Sequence, residues 1–144
     1  ASICDLAIGV ETAAMGLTET KLGLIPATIG PYVIARMGEA AARRVFMSAR
    51  KFSAHEAHSL GLLAKTVAED ALDQAVIAEV TPYLSCAPGA VAAAKKLARA
   101  LGTVIDAQTI EMTVTALIQQ WESPEAEEGI AAFFGKTAPS WQVR

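Results

Sequence analysis

The sequence predicts a mixed α/β chain that is predominantly helical, with few short strands, most of them near its start. Three observations predict this. The chain opens on an apolar, strand-like run, Ala1-Ser2-Ile3-Cys4-Asp5-Leu6-Ala7-Ile8-Gly9. A stretch punctuated by Gly23, Pro26, Gly30 and Pro31 follows. Beyond residue 70, apolar residues recur at helical spacing between helix-stop signals.

In chain order, residues 4–10 read as a buried strand and 13–17 as a short second strand, with Gly9 to Thr12 as the turn. Residues 18–31 break too often for a long element and read as a structured loop with one helical turn. Pro31 suits the first position of a short helix over 31–37. Glu39 to Ala49 carries alanine and apolar residues at helical spacing. Ser53-Ala54-His55-Glu56 is a capping box that opens a short helix ending at Gly61. Leu62 to Val67 reads as another short strand. Residues 70–85, 88–101, 106–121 and 124–134 read as helices, bounded by Pro88, Gly102, Asp106, Ser123-Pro124 and Gly135. Glu125, Glu127 and Glu128 crowd the start of the last one, where the helix dipole favours negative charge.

Two strands make no independent sheet. Those at the start are expected to pair with upstream sequence or with another chain. The opening has no Met and no polar lead-in, so it reads as the edge of a truncated, proteolysed or partly ordered chain.

The 144 residues suit one domain. A hydrophobic share of 53% is high for a soluble monomer. Alanine-rich helices account for part of it, and apolar surface covered by other polypeptide for the rest. The net charge of −3, from 12 basic and 15 acidic residues, offers no footprint for nucleic acid. No apolar run reaches the roughly 18–20 residues of a membrane span, and no signal peptide is visible. A cytoplasmic protein without membrane partners is expected. Cys4 and Cys86 are expected to be free, buried thiols, Cys4 as a small hydrophobe rather than a nucleophile. His55 and His58 are spaced as metal ligands can be, but no Asp or Cys partner is near them, and no metal is expected.

The residue that stands out is Glu19. It lies in the Gly/Pro-rich loop after a strand, among Leu17, Leu22, Leu24 and Ile25. Apolar surroundings desolvate a carboxylate's charged form, which suits it to moving protons. The alternative is a loop carboxylate that caps a helix turn or pairs with Lys21.

The string Cys4-Asp5-Leu6-Ala7-Ile8, followed by Met15-Gly16-Leu17-Thr18-Glu19-Thr20-Lys21-Leu22-Gly23-Leu24-Ile25-Pro26, resembles the enoyl-CoA hydratase/isomerase (crotonase) family. Gly38, Ala41 and Ala42 agree in order and spacing, as do Ser53-Ala54, Glu56-Ala57 and Gly61-Leu62-Leu63. So do Glu128-Gly129, Ala132-Phe133, Lys136, Pro139 and Trp141, although Thr137 stands where the family usually has Arg. The resemblance covers nearly the whole chain.

It implies the C-terminal part of a crotonase-like α/β spiral of ββα turns. Residues 1–68 would end the spiral core, and 69–144 would form a helical trimerisation region. It implies an enzyme of 2-enoyl-CoA thioesters, a lyase that adds water across the double bond, with Glu19 as general acid/base. The family's oxyanion N–H donors, and a hydratase's second glutamate, would lie before Ala1. Leu24, Ile25, Ala27 and Ile29 would line the substrate pocket, and Phe133 and Lys136 would help to hold CoA. No cofactor is implied, since coenzyme A is part of the substrate. A homo-oligomer, trimer or hexamer, is implied as well. An isomerase that shifts the double bond is the alternative within the family. A catalytically incomplete oligomerisation module is the alternative outside it. The variant Pro26-Ala27-Thr28-Ile29-Gly30-Pro31-Tyr32-Val33-Ile34 looks like the branch that hydrates 3-methylglutaconyl-CoA, a carboxylated substrate.

Overall fold

A computed structural model describes residues 1–142. The last two residues of the 69–144 region lie outside the described part. Among the described residues four strands form: β1 (Ile8–Val10), β2 (Ala14–Gly16), β3 (Lys51–Ser53) and β4 (Lys65–Val67). They make two separate ladders. β1 runs parallel to β4, with Gly9 opposite Thr66, and β2 runs antiparallel to β3, with Met15 opposite Phe52.

The first strand is shorter than residues 4–10. The Ala64 N–H donates to the Ala7 carbonyl and begins the ladder there. The Cys4 and Asp5 carbonyls accept instead from Arg36 Nη1, at 3.1 and 3.4 Å, and the chain bends to meet it. Each opening strand has one partner within the chain, β1 in β4 and β2 in β3. The reading of Cys4 and Cys86 as buried also fails, since both are exposed. Cys4 sits in that bend, and Cys86 follows a short turn at Thr81–Ser85 whose residues are all exposed.

Among the described residues seven α-helices follow the first ladder strands: α1 (Gly30–Met37), α2 (Glu39–Phe46), α3 (Ala54–Ser59), α4 (Leu72–Val80), α5 (Pro88–Leu101), α6 (Ala107–Trp121) and α7 (Pro124–Gly135). The core is local to the first half. Leu17, Val33, Val45, Phe52, Ala57 and Leu63 pack into it with their neighbours on β2, α1, α2 and α3. By contrast α4, α5 and α6 have no fully buried residue. Large apolar side chains such as Val80, Leu97, Leu101 and Trp121 stay exposed on the described surface. No single helix among the described residues is long and apolar enough to cross a membrane.

Ser53 caps α3 as the sequence suggests, its Oγ accepting from the Glu56 N–H at 3.2 Å. The reciprocal half of the capping box is replaced, because Glu56 turns its carboxylate to Arg50. Arg50 Nη1 donates to Oε2 at 2.7 Å and Nη2 donates to Oε1. These hydrogen bonds, reinforced by the charges of Arg50 and Arg44, hold the Glu56 carboxyl below its ordinary value of 4.5. A lowered folded-state value contributes stability that is complete above the unfolded value and is lost as pH falls through the folded one. Glu56→Gln is therefore expected to lower Tm at pH 7, and the difference from the parent is expected to shrink below pH 4.5. A Tm difference that ignores pH in a thermal-melt series would dismiss the ion pair as its cause. The histidines have local roles: His55 Nδ1 pairs with Thr66 Oγ1 and His58 Nδ1 with the Leu63 carbonyl, both at 3.1 Å.

Candidate active site

The site is built on the turn that follows β2. Leu17 is buried and anchors the strand's end in the core. Glu19–Leu22 then forms a single 3-10 turn. Gly23 closes it at φ +69°, a left-handed conformation that favours glycine. The Leu24 N–H donates to the Glu19 carbonyl at 3.1 Å, so the backbone folds back around the glutamate.

Sequence-distant segments brace this turn. Thr20 Oγ1 donates to the Phe46 carbonyl at the end of α2, at 3.2 Å. Gln120 Nε2, near the end of α6, donates to the Gly23 carbonyl at 2.6 Å. α7 lays its small-residue face, Ala126, Gly129 and Ala132, on the turn. The approach is backbone to backbone. A Cβ at Gly129 would lie 2.5 Å from the carbonyl carbon and oxygen of Leu22. One at Gly23 would lie 2.7 Å from the Ala126 nitrogen.

The turn aims Glu19 into a cavity of about 150 Å³, lined also by Leu24, Ile25, Pro26, Ala27, Thr28, Ile29 and Leu117. Glu19 Oε2 is buried and has no hydrogen-bond partner. An unpaired buried polar atom costs about 1–3 kcal/mol, so such an atom in a cavity wall is open to a hydrogen bond from a ligand or a water. Glu19 does not pair with Lys21 or cap a helix. The arrangement suits proton transfer to or from a small group held against apolar walls.

Of the residues singled out in the sequence, Glu19, Leu24, Ile25, Ala27 and Ile29 share this cavity. Phe133 and Lys136 do not line it. Phe133 is 64% exposed and packs edge-on to Phe134, with ring centroids 5.5 Å apart. Lys136 is exposed at the C-terminus of α7, in a left-handed conformation. Leu117 and Gln120 were not singled out. They share one face of α6, but threonines interrupt the apolar pattern of that face.

The enoyl-CoA hydratase/isomerase family model matches residues 1–144. The chain belongs to the enoyl-CoA hydratase/isomerase family. The human protein called enoyl-CoA hydratase domain-containing protein 2, mitochondrial, is 35% identical, over 96% of this chain and 49% of its own length. Among solved structures, a carnitinyl-CoA hydratase from Mycobacterium avium superposes with TM-score 0.81 at 27% identity, over 99% of this chain and 56% of that one. An enoyl-CoA hydratase from the same organism gives 0.83 at 28% identity, over 98% and 55%. The fold is thus the α/β fold of this family, in its predominantly helical part. The chain spans about half the length of these hydratase relatives.

Proposed function

We propose that Glu19 is the general acid/base of a hydratase-type lyase that adds water across the double bond of a 2-enoyl-CoA thioester. The observation that carries this reading is the buried, unpartnered Glu19 Oε2 at the wall of an apolar cavity. The ionised carboxylate takes a proton from water, whose oxygen bonds to the β-carbon. The carbon–carbon π electrons move toward the thioester, and its oxygen carries the developing negative charge. The same carboxyl returns a proton to the α-carbon, so the product has gained one water and Glu19 is restored.

The thioester oxygen needs two aimed N–H donors. In this reading they come from the half of the relatives' length that this chain does not span. Phe133 and Lys136 would meet the CoA moiety away from the Glu19 cavity, Lys136 as a mobile charge for phosphate. Residues 69–144 would serve self-association into a trimer or hexamer, which suits the exposed apolar side chains of α4 to α6.

A second reading is an isomerase: it uses the same Glu19 in the cavity wall, and shifting a double bond needs no second acid. A spectrophotometric assay of the full-length protein separates the two. Loss of the enoyl absorbance of crotonyl-CoA is expected for the hydratase. Conversion of a 3-enoyl-CoA to a 2-enoyl-CoA without hydration would replace it by the isomerase.

A further inference from the structure

The peptide unit between Gly23 and Leu24 is held at both of its polar groups. Its carbonyl accepts from Gln120 Nε2 of α6 at 2.6 Å. Its N–H, on Leu24, donates to the Glu19 carbonyl at 3.1 Å. The unit is trans and planar, so the two groups point in opposite directions and turn together. A side chain that fixes the carbonyl therefore fixes the N–H as well. Through that N–H it fixes the backbone of the residue whose carboxylate lines the cavity. A donor on the carbonyl also polarises the unit and strengthens its N–H as a donor.

The placement of this clamp has a physical reason. Gly23 sits at φ +69°, and glycine resists rotation of its peptide less than any other residue. Its own backbone is the softest point of the turn, and Gln120 holds it there. Gly23 is buried, so the carbonyl would lose its partner without gaining free access to water. The same amide nitrogen lies 3.4 Å from Ser123 Oγ, and Ser123 caps α7 by accepting from the Ala126 N–H at 3.1 Å. One side chain thus joins the end of the Glu19 turn to the start of the helix laid on it. Leu117, one helical turn earlier on the same face of α6, reaches the Glu19 cavity itself.

We infer that Gln120 is a positioning residue for Glu19, acting through the Gly23–Leu24 peptide unit to set where the carboxylate points. The inference rests on the acid/base reading above and adds to that site a residue that works through the backbone and not on the substrate. Its role needs a donor of this length, since a carbonyl can only accept.

The test is steady-state kinetics of crotonyl-CoA hydration by the full-length protein, with Gln120→Met, Glu19→Gln and the double variant. Gln120→Met keeps the size of the side chain and removes its donor. It is expected to lower kcat about 10–100-fold, the scale of a small misplacement of a reacting group, and to leave KM within about twofold. In the Glu19→Gln background the same change is expected to cost little more, because the group it positions is already gone. Gln120→Glu is a second variant of the same shape, polar enough for a partly exposed site, and is expected to lose kcat in the same way. The Thr20–Phe46 bond still holds the start of the turn in both. Parental kcat in a folded Gln120 variant would overturn the inference. So would a rise in KM that matches the fall in kcat, or a full further loss in the Glu19→Gln background. Failure here is distinct from failure of the catalytic reading. Glu19→Gln that loses turnover while the Gln120 variants keep it sinks only the positioning role. Parental turnover in Glu19→Gln sinks the acid/base reading, and the positioning role with it.

Discussion

Glu19→Gln in the full-length protein is expected to lower kcat for crotonyl-CoA hydration by about 10²–10⁴-fold while leaving acyl-CoA affinity nearly unchanged. Glutamine keeps the shape of the side chain and fills the same place on the Glu19–Leu22 turn. It cannot accept the proton from water or return it to the α-carbon. The other described residues lining that cavity are apolar, apart from Thr28, and none of them carries a carboxylate. Steady-state kinetics with a parallel binding titration decide the matter. Near-parental turnover would take Glu19 out of the mechanism. A parallel loss of affinity and kcat would make it a binding residue instead.

The second large effect is expected at Gly129, where two physical arguments give opposite signs. In an isolated helix, Gly→Ala stabilises by roughly 0.5–1 kcal/mol through backbone entropy. Here the new methyl would meet the Leu22 carbonyl at 2.5 Å, which is main chain and cannot swing aside. Overpacking of this kind costs typically about 1–3 kcal/mol. Gly129→Ala is expected to be net destabilising and to cut kcat more than it raises KM, because the relief available is to push α7 off the Glu19 turn. A Tm above the parent's with unchanged kcat would mean that the turn does not depend on α7.

Much of this arrangement is legible in the sequence, for identifiable reasons. The Gly23–Pro31 punctuation fixes a loop, and that loop carries Glu19 and the apolar residues that line its cavity. Ser53 and Asp106 announce their helices because a cap acts through neighbours three residues away. β3 leaves no such trace. Lys51-Phe52-Ser53 is too short for a period, and its identity as a strand comes wholly from pairing with β2. The bend at Cys4 and Asp5 depends on Arg36, more than thirty positions away. α6 hides its role for a similar reason, since the face that brings Leu117 to the Glu19 cavity is interrupted by threonine. What escapes a single-sequence reading here is long-range in every case.

The Gln120–Gly23 bond joins positions 97 residues apart. Closing so long a loop costs entropy before any contact rewards it. The core around Val45 and Phe52 involves only early sequence and is under no such constraint. During synthesis, which proceeds from the N-terminus, a nascent chain can bury that core while the Glu19 turn has only its Thr20–Phe46 brace. The contacts that Gln120 and α7 make with the Glu19 turn form only after α7 has left the ribosome and docked. A stop codon just before Pro124 would leave a chain that still collapses but never holds its glutamate in place.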